Sequence, residues 1–323
     1  MAYIGGKAKL YDLLFNFKHS IILQSYHCKE GIQATNGDGF GVGWYPEPTN
    51  CGFHDFEEED DDNNDNEDDK KEEPVEESDE LPLLFRSVEP AWNNENLKEV
   101  AKGIHSHTVF AHVRAASPSV SNVQRTNCHP YRYQKWLFMH NGEIRGFKTI
   151  KRDLMFRVDH KLFPFIEGST DPETFFFLAL TFGLQDNPPS AMAKAVGYIT
   201  MVAKKAGVEF PIQMTVATTD GQRLWAFRYS SEGKSSTLYY SSDLNDILAQ
   251  YEPQSKAHKR MSRLSIAKSF HRLKSFTGYS RFVVSEPLGN LPGMWNLVPE
   301  SSCITIEDGT LNVSEFKPNF DTV

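Results

Sequence analysis

The most restrictive feature of the chain is the stretch from Val109 to Ile144, VFAHVRAASPSVSNVQRTNCHPYRYQKWLFMHNGEI. Two short apolar runs, Thr108–Val113 and Trp136–His140, read as strands, and a polar loop joins them. Each run ends in residues a core does not need. The first ends in His112, Arg114 and Ser117, the second in His140, Asn141, Gly142 and Glu143. A β-hairpin with polar ends is the plain reading, and it suffices for any one of these residues. For the set it is the weaker reading, because several unusual polar residues would have to meet at strand ends by chance. An Arg at a strand end suits bidentate capture of a carboxylate. An Asn followed by a Gly offers a side-chain amide and an unobstructed backbone N–H, the parts of an oxyanion hole.

What surrounds this stretch limits its context. A chain of 323 residues, 39% of them hydrophobic, can bury a sizeable core as one large domain or two ordinary ones. Its net charge of −9 is local: residues 57–80 hold sixteen of the 43 acidic and two of the 34 basic residues, which makes that segment −14 and the remainder +5. The segment 55–80 cannot bury enough apolar surface to order itself and reads as a disordered acidic loop, inserted in a hairpin between Trp44–Tyr45 and Leu83–Arg86. The mildly basic remainder demands no nucleic-acid partner. Cys28, Cys51, Cys128 and Cys303 are widely spaced with no CxxC pair, so reduced thiols in a cytoplasmic protein are expected. No apolar run reaches the ~18 residues that span a bilayer, and MAYIGGKAKL lacks a signal-peptide apolar region, so no membrane partner is expected either.

Taken in order, Ala2–Ile4 reads as the end of a strand closed by Gly5-Gly6, and Leu10–Phe15 and Ser20–Ser25 carry mixed signals. Thr35–Tyr45 is a turn opening into an alternating strand with glycines at 37, 39, 41 and 43. That density weakens a strand unless a backbone or a ligand approaches closely. Helices are predicted over Asn94–Gly103, Phe147–Val158, Glu173–Gly183 (capped by Thr170 or Asp171, with Pro172 near its start) and Ala191–Gly207. Strands are predicted over Phe210–Thr218, Leu224–Tyr229, Thr237–Ser241, Arg281–Ser285 and Ser302–Ile306. The basic run Gln254–Lys274 reads as a surface helix or loop. Long helices with many hairpin strands indicate an α+β domain of stacked sheets covered by helices.

The motifs AHVRAAS, NCHPY, HNGEI and GSTDPETFF resemble the glutamine-site motifs of class II glutamine amidotransferases. The likeness extends to TNGDGFGVGWY at 35–45, PAWNNENL at 90–97, and VVSEPL with a later VPE. The nearest branch is the small standalone YafJ-like group, which includes the amidotransferase subunit of glutathione degradation and the γ-glutamyl hydrolase of ergothioneine synthesis. The resemblance implies the αββα sandwich of N-terminal-nucleophile hydrolases: two stacked, mainly antiparallel sheets flanked by helices, as one type-2 domain over 1–323. It implies hydrolysis of a γ-glutamyl amide, glutamine or a γ-glutamyl peptide, with no cofactor and no metal. Arg114 would clamp the α-carboxylate and Asp171 the α-ammonium. Asn141 and the N–H of Gly142 would form the oxyanion hole. Ser117 and His129 would shape the pocket and its covering loop, and Asn36, Gly37 and Asp38 would form a wall.

The family's nucleophile is a cysteine directly after the initiator Met, in a strand reading roughly Cys-Arg-Trp-Leu, with its own α-amine as base. This chain reads Met1-Ala2-Tyr3-Ile4-Gly5, so the nucleophile is expected to be missing from it. Cys128 beside His129 is the internal thiol that could substitute; an ordinary loop thiol is the plainer reading. One alternative is a catalytically inactive binding or scaffold subunit of an amidotransferase complex, with a partner subunit. A remoter one is a metal-dependent hydrolase using His105, His107 and His112, since HxH on a strand puts two imidazoles on one face.

Overall fold

Runs such as Val109–Ala111 and Trp136–Met139 are apolar on both strand faces, so each strand needs a cover on both sides. A four-layer stack provides this. The structure, a computed structural model, describes residues 1–29, 35–47, 81–115, 123–250, 273, 276 and 279–321. The acidic segment 55–80 and, Leu273 apart, the core of the basic run at 254–274 lie outside the described residues.

The strands are β1 Ala2–Lys9, β2 Phe40–Trp44, β3 Leu83–Ser87, β4 His105–Val113, β5 Tyr131–Tyr133, β6 Trp136–Ile144 and β7 Ile212–Thr219. They continue as β8 Arg223–Ser230, β9 Tyr239–Ser241, β10 Arg281–Val284, β11 Trp295–Leu297, β12 Ser302–Glu307 and β13 Thr310–Glu315. The helices are α1 Leu10–Phe15, α2 Ile21–Tyr26, α3 Glu95–Gly103, α4 Phe147–Arg157, α5 Asp171–Thr181, α6 Pro188–Lys205 and α7 Leu244–Gln250. Among the described residues the strands form two sheets, ordered β11-β9-β10-β1-β4-β2-β3 and β13-β12-β8-β7-β6-β5, with antiparallel neighbours throughout.

Side-chain alternation sorts each strand between two cores. Ala2, Ile4, Phe110, Leu137, Met139, Ala226 and Ile304 interdigitate between the sheets. Tyr3, Val109 and Ala111 face the other way, against Leu13 of α1, Leu97 of α3 and Ile247 of α7. Trp136, Phe138 and Val216 face α4, α5 and α6. The order is therefore helix, sheet, sheet, helix.

Several expectations are corrected in detail. Thr108–Val113 and Trp136–His140 are not a hairpin: they are the cores of β4 and β6, in opposite sheets. The second run continues through Asn141–Glu143 to Ile144, because β7 pairs with it along that whole length. β1 does not end at Gly5-Gly6 but continues to Lys9, with a register irregularity between Ile4 and Ala8. Tyr239–Ser241 joins the sheet of β10 rather than following β8. β2 and β3 do form the hairpin that flanks the acidic segment, with Trp44 opposite Leu83. The glycines of β2 admit neighbouring chain: a Cβ at Gly41 would lie 2.1 Å from the carbonyl oxygen of His129, and one at Gly43 2.9 Å from the Leu137 and Pro130 side chains. Among the described residues no helix is long and apolar enough to cross a membrane.

Candidate active site

The ends of β1, β4 and β6 open on one cavity of about 730 Å³, within the range of small-molecule sites. Arg114, Asn141, Gly142, Asp171, His129 and Asn36 all line it, though the chain separates the first and fourth of these widely. Gly37 and Asp38 stand just behind. Gly37 packs under the Trp92 ring, and the N–H of Asp38 donates to the Arg114 carbonyl at 2.9 Å. Ser117 lies outside the described residues.

The open edge of β6 organises the site. In an antiparallel strand the backbone groups point alternately to the two neighbours. β5 pairs with β6 only as far as Phe138, facing Tyr131. Beyond it the same edge belongs to residues 140, 142 and 144. The His112 ring is hydrogen-bonded to the backbone of His140, and the N–H of Ile144 donates to the Asp171 carboxylate at 2.7 Å. By the same alternation the N–H of Gly142 faces this edge, between those two bonds. Gly142 is at φ +147°, where a Cβ would lie 2.0 Å from the carbonyl oxygen of Gln213, so only glycine fits. The side chain of Asn141 has the parity of Leu137 and Met139 and therefore points between the sheets.

Arg114 follows β4. Its backbone N–H donates to Gly39 at 2.9 Å, and its guanidinium reaches the carbonyl of Asp38 at 3.4 Å. Asp171 opens α5, but Thr170 is the cap residue, and Asp171 turns its carboxylate toward β6. Burial raises the Asp171 pKa to about 6, against the opposing pull of the Ile144 N–H. At neutral pH it is a largely ionised carboxylate in poor solvation, a state that favours a bound cation. The loop before α5 is fixed by Glu173, which accepts the N–H groups of Glu167 at 2.9 Å and Gly168 at 2.7 Å. Asn127 ties it to the NCHP segment by accepting the Ser169 N–H at 2.9 Å.

Three imidazoles share this end of the cavity. His112 and His129 lie with ring centroids 4.3 Å apart, and His140 packs edge-on to Phe175. Burial lowers the pKa of His112 to about 3 and of His140 to about 4, and holds His129 well below its usual value. They are neutral at physiological pH, so the positive charge among them is that of Arg114. The α-amine of Met1 also lies here, donating to the Ala111 carbonyl at 2.8 Å, with its pKa pulled down to about 5 by burial.

Neither rival arrangement is assembled. Cys128 is buried, its thiol donates to the Ser87 carbonyl at 3.4 Å, and burial raises rather than lowers its pKa. His107 packs on the Tyr45 ring, whereas His112 lies at odd spacing from it along β4, on the other strand face against His129. Among the described residues no trio of His, Cys, Asp or Glu is placed to hold a metal ion. Sequence reasoning singled out His112 and His140 at the strand ends without giving them a place in the glutamine site, and it missed Gln213, Ser236 and Glu286. Only Glu286 left a signal, as the acid after the apolar run of VVSEPL.

The four-layer stack is the architecture of the N-terminal-nucleophile glutamine amidotransferases. The glutamine PRPP amidotransferase of Bacillus subtilis shares this fold with a TM-score of 0.55 at 12% identity, over 98% of this chain and 49% of that one. The chain belongs to the class-II glutamine amidotransferases, whose family profile matches residues 77–322. It is 32% identical to "Probable glutamine amidotransferase DUG3" of Saccharomyces cerevisiae, over 94% of this chain and 79% of that protein. A glutamine aminotransferase class-II domain protein from Silicibacter pomeroyi is 25% identical, with a TM-score of 0.63 over 98% of both chains.

Proposed function

We propose that the cavity binds and positions a γ-glutamyl amide, glutamine or a γ-glutamyl peptide such as the one broken down in glutathione turnover, for hydrolysis at the γ-carbonyl. The observation that carries this is the convergence of Arg114, Asn141, Gly142 and Asp171 on one cavity. Arg114 pairs with the α-carboxylate and Asp171 with the α-ammonium. Between them the ligand's side chain lies along the β6 edge, with its carbonyl oxygen facing the Asn141 amide and the Gly142 N–H. His129, Ser117 and the wall at Asn36, Gly37 and Asp38 shape the pocket around it. Such donors act on the charge that develops in the transition state, and losing one costs on the order of 10²–10³ in rate.

Hydrolysis needs a nucleophile at the same place. Met1 pairs with Ala111 across β1 and β4. A strand continued back in that register sets its third added residue opposite Arg114, beside the oxyanion donors. A cysteine there would add its sulfur to the γ-carbonyl carbon while its proton passes to the free α-amine. Collapse of the oxyanion expels the amine, which takes that proton, and water then cleaves the thioester to release glutamate. Met1 itself brings an amine but no thiol, so the chain beginning at Met1 should bind the ligand and hydrolyse glutamine at or near background. The test compares it with a chain carrying Cys-Arg-Trp ahead of the residue-1 position, the initiator Met removed. Glutaminase activity only in the second supports the reading. Family-level activity in the first overturns the assignment of the nucleophile, and none in the second overturns the catalytic half and leaves a binding subunit.

A further inference from the structure

Strand pairing leaves one backbone carbonyl over at the open edge of β6. β5 pairs with β6 no further than Phe138, so among the described residues His140 has no strand neighbour on that side. A buried carbonyl must find a donor elsewhere, and here the donor comes from the other sheet. His112 has the parity of Phe110 in β4 and points between the sheets. Its half-buried ring is hydrogen-bonded to the His140 backbone. Burial lowers the ring's pKa to about 3, and the bond to His140 pulls the other way, as an acceptor does and a donor would not. The partner is therefore the His140 carbonyl, and the ring nitrogen facing it carries the hydrogen. The ring has little room to swing away. It lies 4.3 Å from the His129 ring, which meets the Tyr131 ring edge-on at 4.7 Å. The Tyr131 hydroxyl is hydrogen-bonded to that of Thr170, the cap of α5, at 2.7 Å.

From this we infer that His112 is a positioning residue for the ligand's carbonyl: its ring N–H, given to the His140 carbonyl, holds the peptide that leads into Asn141 and so aims the Asn141 and Gly142 donors. The inference rests on the γ-glutamyl reading, which puts the ligand's carbonyl at those donors. One planar peptide unit contains both the His140 carbonyl and the Asn141 N–H, so fixing the first fixes the second. Beyond Gly142 the edge is held again, where the Ile144 N–H donates to Asp171 at 2.7 Å. Asn141 and Gly142 thus sit between two tethers, one from β4 and one from α5, with β7 paired along their other side. Gly142, at φ +147°, has no Cβ to restrict it, so this is where the strand loosens if the His140 tether is lost. A ring with a pKa of about 3 is not a base at neutral pH, and the role needs only its N–H.

Calorimetric titration of the full chain with glutamine and with L-norleucine tests this. Norleucine has the same head group and no γ-carbonyl, so the ratio of the two affinities reads the carbonyl seat alone. In His112→Phe, which keeps a ring against His129 and removes the donor, the glutamine-to-norleucine ratio should fall about fivefold, the worth of one hydrogen bond between neutral partners. Norleucine should bind that variant within about twofold of the unmodified protein. His112→Asn and His112→Gln place an amide N–H at the two depths of the imidazole nitrogens, and one of them should restore the ratio. An unchanged ratio in His112→Phe, a parallel loss of both ligands, or a fall that neither amide reverses overturns the positioning role while γ-glutamyl binding by the unmodified protein persists. Absence of glutamine binding by the unmodified protein overturns the γ-glutamyl reading and this inference together.

Discussion

Replacing Asp171 by asparagine should stabilise the unliganded protein while disabling its ligand site. The carboxylate is pushed from 3.8 to about 6 by burial. The sign follows from linkage: below pH 3.8 the group is protonated in both states and carries no penalty. As pH rises through 6 the folded protein must ionise a poorly solvated carboxylate that the unfolded chain ionises freely, so stability is lost. About two pKa units at 1.36 kcal/mol each gives about 3 kcal/mol, reduced to about 2 because Asp171 is partly open to the cavity. The introduced amide would keep an oxygen for the Ile144 N–H and lose the charge. The variant should therefore melt roughly 3–6 °C above the unmodified protein at pH 7.5. At pH 4.5, where Asp171 is mostly protonated in the folded state, roughly a third of that gain should remain. Thermal unfolding at the two pH values, with matched buffers, measures both. A variant that is destabilised at pH 7.5, or a gain equal at the two pH values, would refute the claim that desolvation of this carboxylate is the dominant effect.

Two further outcomes follow from the loops and edges that hold the site. Gly142→Ala places a Cβ at φ +147° and 2.0 Å from the Gln213 oxygen; it should cost at least about 1–3 kcal/mol in chemical denaturation and weaken ligand binding, because β6 must part from β7. Glu173→Ala strips the acceptor from the partly buried N–H groups of Glu167 and Gly168; it should cost about 2 kcal/mol in the same assay, with Glu173→Gln costing less.

The layer order was legible because apolar strands flanked by amphipathic helices leave few alternatives. Asn94–Gly103 was set by its cap, whose side chain accepts the Leu97 N–H at 2.8 Å, a local interaction that sequence encodes directly. The pairing of strands was not local. The polar loop between the two central strands suggests a hairpin, yet His129 and Pro130 cross from one sheet to the other over the glycines of β2, a contact set by packing. Arg114, Asn141 and Asp171 were found through motif resemblance and strand-end chemistry. His112 and His140 stood out as polar strand-end residues but carried no role, because only the stacking of two sheets turns them toward the cavity. Gln213 and Ser236 have no signature at all, since neutral polar residues at strand margins are common.

The claim beneath the rest is that one cavity recognises both charges of an amino-acid head group. Calorimetry of glutamine against its α-methyl ester and its α-N-acetyl derivative, with the unmodified protein, Arg114→Ala and Asp171→Asn, tests it most directly. The ester should bind Arg114→Ala no worse than glutamine does, and the N-acetyl compound should do the same with Asp171→Asn, while the unmodified protein binds only glutamine well. Equal affinity of all three ligands for the unmodified protein would contradict the account.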